Sequence, residues 1–339
     1  MKAIHFAAPG DPEVLQLVDQ PDPTLRPGEV LIAVSAAGVN RADVMQRRGL
    51  YPPPPGASAI LGLEVAGHVV SIAPTATEAG RAAPPSAMPI AVGQAVMALL
   101  AGGGYAEKVA VPAAQVMPIP AGISLEAAGA LPEVFLTAYL NLFMLGGLPW
   151  RDGRSATVLI HGGASGVGTA ALQLCRTAGV TAFCTVGDDA RAKRCRELGA
   201  AAAWNYRQVD FQAAVMEATG GTGVSLILDC IGGDYLDRNL RALSADGRLV
   251  LIGLMGGTQA SLDLGLLLRR RIQIIGSTLR PLPPLRKAQL VSEFTQRALP
   301  LFATGELQPV IEQVFPLSEA AAAHRALDAA HFGKLVLRI

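Results

Sequence analysis

Gly163, Gly166 and Gly168 are the residues whose spacing most directly implies chemistry. They lie in Gly163-Ala164-Ser165-Gly166-Val167-Gly168-Thr169, which fits G-x-G-x-x-G except that Ser165 takes the middle glycine's place. The chemistry is phosphate binding. Backbone N–H groups must approach a pyrophosphate with no side chain in the way, at a helix N-terminus whose dipole attracts negative charge. In that scheme Gly163 permits the sharp turn, the Ser165/Gly166 position presents the N–H groups, and Gly168 allows close helix–strand contact. The aliphatic run Val158-Leu159-Ile160 before the turn and the apolar residues 170–174 after it supply the strand and helix that the motif requires.

The next strand, residues 181–186, ends at Val186-Gly187 with no acid. Folds that prefer NAD place a carboxylate at that strand end, about 20 residues past the glycine turn, to hold the ribose 2′-hydroxyl. Its absence leaves room for a 2′-phosphate, which Arg191 and Lys193 would neutralise, and Tyr206 could add a hydroxyl donor. NADPH is therefore the expected cofactor. Asp188 and Asp189 stand close by, but an aspartate just before a helix is an ordinary N-cap, and that reading is preferred to a ribose contact. Lys193 reads equally well as part of a solvated helix face.

Holding these residues requires strands that alternate with helices. Strands are expected at 156–161, 181–186, 203–206, 226–231, 248–252 and 272–277, with helices between them. The strands are almost continuously apolar, as when helices cover both faces, so the fold class is α/β with a doubly wound parallel sheet. Ahead of it, residues 2–6, 15–18, 29–36, 64–73, 95–100 and 105–111 read as short strands punctuated by Pro9-Gly10, Pro27-Gly28 and Gly102-Gly103-Gly104. These form a second, mostly β, barrel-like or sandwich-like domain. Residues 75–89 are rich in Ala, Pro, Thr and Ser and read as a surface loop. A helix over 285–302, a strand over 310–315, a helix over 318–330 and a strand over 334–339 close the chain, the last strand returning to the β domain. The expected domains are 1–124 with 306–339, and 125–305.

With 51% hydrophobic and 16% charged residues the chain can bury a large core, and a net charge of +1 gives no global reason to expect nucleic acid or an anionic membrane as partner. No signal-peptide block or run of roughly 18 apolar residues occurs, so the expected location is cytoplasmic. Cys175, Cys184, Cys195 and Cys230 lack C-x-x-C spacing and read as buried free thiols. His68, His161 and His324 stand singly in apolar surroundings and read as packed or surface residues. The run Arg269-Arg270-Arg271 reads as a helix C-terminus meeting its dipole.

Across essentially its whole length the chain resembles the medium-chain dehydrogenase/reductase superfamily, through Gly38-Val-Asn-Arg-Ala-Asp43, Leu61-Gly-Leu-Glu-Val-Ala-Gly67, Gly102-Gly-Gly-Tyr-Ala-Glu107, Leu136-Thr-Ala138 and the glycine turn. Asn40-Arg-Ala-Asp43, Tyr51-Pro-Pro-Pro-Pro-Gly-Ala57, Leu228-Asp-Cys-Ile-Gly-Gly233 and Gly253-Leu-Met-Gly-Gly257 are similar to the NADPH:quinone oxidoreductases, most of all the zeta-crystallin-like subgroup induced by a tumour suppressor. The resemblance implies a Rossmann sheet with a GroES-like β domain and a homodimer joined through the sheet edges. It places the nicotinamide in the cleft between domains, near Asn40, Tyr51 and Thr137. Cys230, Ile231 and Gly232 with Gly253, Leu254 and Met255 would run along its ribose and amide, and Leu279, Arg280, Gly333 and Lys334 would close the cleft. The catalytic zinc positions of the alcohol dehydrogenases fall on Asn40, Leu63 and Glu133, of which a leucine cannot ligate, so no metal is expected.

Within that frame the expected function is hydride transfer from NADPH to a quinone, which needs no strong general acid. Tyr51 is the expected contact to both cofactor and substrate, with a ring that stacks and a hydroxyl that donates. A turn role competes for Asn40, and a plain helix role for Thr137. Asp43 and Glu133 are expected to pair with Arg41 or Arg47. The alternative enzyme is a reductase of activated double bonds (enone, enal or enoyl thioester) with Tyr51 as proton donor. A non-catalytic NADPH-binding protein is the third reading, since lens crystallins and RNA-binding proteins resemble this family.

Overall fold

A computed structural model describes residues 1–74 and 89–339, so the loop expected at 75–89 lies, apart from Pro89, outside the described residues. The chain divides into two units, residues 1–136 with 279–339, and residues 137–278. These limits differ from the expected 124/125 and 305/306. The displaced segments are tied into the first unit: the Glu133 N–H donates to the Glu64 carboxylate at 2.8 Å, and the Phe135 ring packs against Phe294 and Phe302 at 6.3 and 4.9 Å.

In the first unit a seven-stranded sheet runs in the order Ile311–Pro316, Lys334–Arg338, Glu29–Val39, Glu64–Ile72, Ala95–Leu99, Val116–Pro118, and Lys108–Pro112 also pairs with Glu29–Val39. The strand Glu29–Val39 organises it. Its first half alternates, burying Val30, Ile32 and Val34 on one face, and from Ala36 onward every residue is buried. A register shift between Val34 and Ala36 marks the change. The closing strand Lys334–Arg338 lies antiparallel beside Glu29–Val39 and parallel to Ile311–Pro316. A helix not expected from the sequence, Arg41–Arg47, follows at once; the Asn40 N–H donates to the Asp43 carboxylate at 2.9 Å and so starts it.

The second unit is a six-stranded, wholly parallel sheet ordered Ala202–Asn205, Thr181–Val186, Thr157–His161, Val224–Asp229, Leu243–Leu251, Gln273–Gly276. In chain order this is 3-2-1-4-5-6, the doubly wound Rossmann arrangement, which opens a crevice at the carboxyl ends where the order reverses. Thr157–His161 and Thr181–Val186 are buried except for their first residues, as the apolar runs required. Cys175, Cys184 and Cys195 are buried thiols; Cys230 is in no disulfide and lies beyond its strand, which ends at Asp229. Arg270 donates to the carbonyls of Arg241 and Leu243, and Arg271 pairs with Asp246, so this basic run serves the unit's own surface. Among the described residues no helix is long and apolar enough to cross a membrane.

Candidate functional site

In the second unit the strand Thr157–His161 passes through a tight turn into the helix Gly166–Ala178, which Ser165 caps by accepting the Gly168 N–H at 3.0 Å. Gly163 lies in this turn as expected, where a Cβ would meet Cys184 at 2.7 Å, and the left-handed residue of the turn is Gly162 (φ +71°). Gly168 does stand where helix and strand meet: a Cβ there would lie 2.3 Å from the Gly162 carbonyl oxygen. The next loop of the crevice is close by. Cys230 Sγ donates to the His161 carbonyl at 3.6 Å, the Met255 N–H reaches the Cys230 carbonyl at 3.2 Å, and the Gly256 N–H reaches Ile231 at 2.7 Å. The carboxyl edge of this sheet therefore collects Gly163 to Thr169, Cys230 to Gly232, and Gly253 to Met255.

Asp229, which sequence reasoning passed over, shapes the second of these loops. Its carboxylate accepts the N–H groups of Ile231 and Gly232 at 2.7 and 3.1 Å and the Asn239 amide at 3.1 Å, while burial raises its pKa to about 6. Asn239 Oδ1 in turn faces His161 Nε2 at 2.7 Å, and Thr185 Oγ1 faces Nδ1 at 2.9 Å. Burial holds His161 neutral, with a pKa near 4, so the imidazole is a packed strut.

Beyond the strand Thr181–Val186, Arg191 and Tyr206 close on Gly187: a Cβ there would lie 2.9 Å from the Arg191 guanidinium and 3.2 Å from the Tyr206 hydroxyl. Asp188 caps the following helix through the Arg191 N–H and holds the Arg191 side chain at 2.8 Å. Asp189 accepts the Asn205 amide at 3.1 Å. A cation and a phenol thus face Gly187, and the Asp188 carboxylate next to it is engaged by that cation.

The first unit holds a second polar centre. Glu64 Oε1 accepts from Lys334 Nζ at 2.7 Å and from Asn40 Nδ2 at 2.8 Å, with the two ionic side chains 0% and 6% exposed. Gly38 makes this approach possible, since a Cβ there would lie 2.1 Å from Glu64 Oε1. Lys334 also donates to Asn40 Oδ1 at 2.6 Å and to the Val39 carbonyl at 2.8 Å. Its three N–H bonds are thereby used inside the protein, which corrects its expected part as a cofactor contact. Asn40, expected at the nicotinamide, has its second amide hydrogen facing the Gly38 carbonyl at 3.4 Å, so its side chain is held within this centre.

Asp43 pairs with neither Arg41 nor Arg47. The first helical turn points its carboxylate back at the N–H groups of Asn40 and Gly62 (2.9 and 3.0 Å) and at the Tyr105 hydroxyl (3.3 Å), while burial raises its pKa to about 6. Arg41 pairs with Asp328, and Arg47 bonds the Gly10 carbonyl at 3.0 Å and His324 Nδ1 at 3.2 Å. Because Arg47 can only donate, His324 Nδ1 accepts; its Nε2–H then donates to Tyr105 at 3.2 Å, leaving the tyrosine proton for Asp43.

Tyr51 is half-buried and held by Arg280, which donates to its carbonyl at 3.3 Å and lies 5.5 Å from its ring centroid. Arg280 also donates to the Ala101 carbonyl and the Gln46 side chain, both at 2.8 Å. Arg280, expected as a cofactor contact, clamps Tyr51 and has three of its N–H groups engaged within the protein; Leu279 beside it is buried. Thr137 is a helix residue whose carbonyl accepts the Asn141 amide at 2.7 Å.

Glu133 pairs with no arginine: among the described residues its buried Oε2 has no hydrogen-bond partner. Burial, then the charge of Glu64, raises its pKa to about 8. Burial, then the charge of Glu133, raises the Tyr51 hydroxyl above its ordinary value. Both groups therefore hold their protons at neutral pH. A reaction step that draws a proton from Glu133 is expected to slow as pH rises through about 8, and Glu133→Gln to abolish that inflection in a pH–rate profile; an unchanged inflection removes Glu133 as the source.

The residues at the zinc positions do not fit that metal. Leu63 is buried and aliphatic, Asn40 is bound to Glu64 and Lys334, and the cation of this centre is the Lys334 ammonium. Among the described residues no three His, Cys, Asp or Glu side chains gather as a ligand set.

A GroES-like β unit and a Rossmann sheet with a glycine turn define the dehydrogenase/reductase class. Residues 26–121 match the alcohol dehydrogenase GroES-like domain, and residues 166–301 match the zinc-binding dehydrogenase family. The chain is 32% identical over 333 residues to the synaptic vesicle membrane protein VAT-1 homolog of Rattus norvegicus, covering 93% of this chain and 78% of that protein. Over 99% of its length it is 33% identical to the phenolphthiocerol synthesis polyketide synthase of Mycobacterium bovis, yet it spans only 15% of that protein and 20% of a related synthase of Mycobacterium tuberculosis. Among solved structures, Escherichia coli quinone oxidoreductase complexed with NADPH superposes with a TM-score of 0.85 at 28% identity over 100% of both chains. The chain belongs to the medium-chain dehydrogenase/reductase superfamily.

Proposed function

We propose that this chain is an oxidoreductase that transfers a hydride from NADPH to a quinone. The observation that carries the cofactor choice is that Arg191 and Tyr206 both stand at Gly187, with the neighbouring Asp188 carboxylate engaged by the Arg191 guanidinium. The glycine turn fits the rest of a dinucleotide: a side chain at Gly168 would collide with backbone, and the helix N-terminus at Ser165 and Gly166 favours a pyrophosphate. When bound, NADPH supplies the hydride, and the protein contributes binding, orientation and electrostatics. Ser165 holds the first helical turn in shape, Asp229 shapes the loop of Cys230 to Gly232, and Arg191 meets the extra phosphate. Likeness to a quinone oxidoreductase complexed with NADPH supports the acceptor class. The zeta-crystallin-like subgroup remains our placement within the family.

The second reading, reduction of an activated double bond, draws support from two protonated groups. Tyr51 and Glu133 both keep their hydrogens at neutral pH, and an enone needs a proton that a quinone can take from water. NADPH oxidation with 9,10-phenanthrenequinone and with 1-octen-3-one separates the readings. Tyr51→Phe is expected to leave quinone turnover nearly intact; a loss of roughly a hundredfold confined to the enone favours the double-bond reductase. NADPH binding with no turnover of either acceptor defeats both and leaves a non-catalytic binder.

A further inference from the structure

The first unit contains a cavity of about 590 Å³, within the size range of small-molecule sites, and its walls hold two polar side chains that the hydride chemistry leaves unused. Lys287, in the first turn of the helix Pro284–Arg297, is only 4% exposed. Gln115, at the end of the helical turn Ala113–Gln115 that this helix packs against, is 5% exposed. Among the described residues the Lys287 ammonium has no hydrogen-bond or ion-pair partner, while its backbone N–H donates to the Pro283 carbonyl at 3.1 Å; the buried Gln115 Oε1 has no partner at all. Buried donors and acceptors without partners are destabilising, and proteins retain them chiefly where something else completes them.

We propose that this cavity binds a small organic carboxylate with an apolar body and a hydroxyl group. The charge of the walls selects the sign: Arg26, Lys108, Arg280 and Lys287 face one acid, Glu29. The positive end of a fourteen-residue helix adds to that field. Arg280 is committed to Ala101, Tyr51 and Gln46, and Lys108 to Asp22; Arg26 is exposed and reaches the Gly56 carbonyl at 3.4 Å, whereas Lys287 is the buried wall cation without a side-chain partner and so the one placed to meet a ligand. A single ammonium suits a monoanion better than a phosphate dianion. The Gln115 amide can add a donor to the carboxylate, and its orphaned oxygen calls for a hydroxyl donor on the ligand. Ile60, Leu100, Val109 and Val111 give the remaining wall, which also holds Thr24 and Ser58, an aliphatic stretch that suits a hydrocarbon or aromatic body. Glu133 is the acid whose field reaches Lys287, and its own raised pKa leaves it largely uncharged at pH 7, so it does not neutralise the site. The inference does not rest on the reductase reading.

The test uses 4-hydroxybenzoate as probe, with 4-hydroxybenzamide as its neutral counterpart and inorganic phosphate as a bare anion, each followed by calorimetric titration of the full chain. The wild type is expected to bind the carboxylate at least tenfold more tightly than the amide or phosphate. Lys287→Met, which keeps the side-chain volume, is expected to erase that preference, and Gln115→Leu to weaken it severalfold. A second measurement is made on the unaltered protein: acylation of Lys287, followed by peptide mass mapping, is expected to slow in the presence of 4-hydroxybenzoate and not of the amide. Equal binding of the carboxylate and the amide, or carboxylate binding unaffected by both substitutions, overturns the proposal. So does Lys287 acylation at the same rate with and without the carboxylate, whether or not the variants fold.

Discussion

Replacing Lys334 by methionine is expected to cost the first unit about 3–5 kcal/mol, because it leaves the Glu64 carboxylate buried without its ion partner. The pair is almost fully enclosed, so water cannot take over the lysine's part. The readout should be local. Both tryptophans, Trp150 and Trp204, lie in the other unit, and their fluorescence would report on the wrong sheet. Amide hydrogen exchange in Glu29–Val39 and Lys334–Arg338 is the suitable measure, and protection there is expected to fall by roughly two to four powers of ten. Adding Glu64→Gln to Lys334→Met should recover much of the loss, since the amide needs no counter-charge and its oxygen can still accept from Asn40 or from the Glu133 N–H. Unchanged protection in the single variant would mean that the ion pair contributes nothing net.

Arg191→Ala is expected to weaken NADPH binding by roughly 10- to 100-fold, the range for losing a charge-assisted hydrogen bond to phosphate, and to change NADH binding less than about threefold. The asymmetry follows from the neighbour. With the guanidinium gone, Asp188 keeps its charge beside Gly187, where it repels a 2′-phosphate yet can still accept from a ribose hydroxyl. Fluorescence titration with both coenzymes decides it, and equal losses would take Arg191 out of the phosphate site. The same titration tests Tyr206, whose phenol faces the same glycine: Tyr206→Phe should follow the same direction with a smaller effect.

What could be read from the chain depended on distance along it. The turn from Gly163 to Gly168 was legible because strand, turn and helix are contiguous, and both flanks show in the hydrophobic pattern. Even so, the left-handed position fell on Gly162, since several adjacent glycines satisfy one pattern equally. Asp229 could have been noticed. An aspartate two residues before Ile231 and three before Gly232 is a common way to fold a loop around a carboxylate, and its bonds have that spacing. The pairing of Asp43 or Glu133 with Arg41 or Arg47 was a guess from nearness of charge. It failed because Asp43 caps its own helix and Glu133 is turned into the interior.

Sequence alone determined the alternation of apolar strands with helices, the glycine turn, the acid-free end of the second strand, and thereby the fold class and the kind of ligand the second unit can hold. These are local properties, written in residue type and in periods of two and 3.6. Tertiary structure decided which charges meet. Lys334 reaches Glu64 across 270 residues, and Arg280 reaches the Tyr51 carbonyl across 229. Strand register and the missing side chain at Gly38 bring the first pair together. A buried ion takes whatever partner the packed chain sets within reach, and no pattern along the sequence encodes that neighbour.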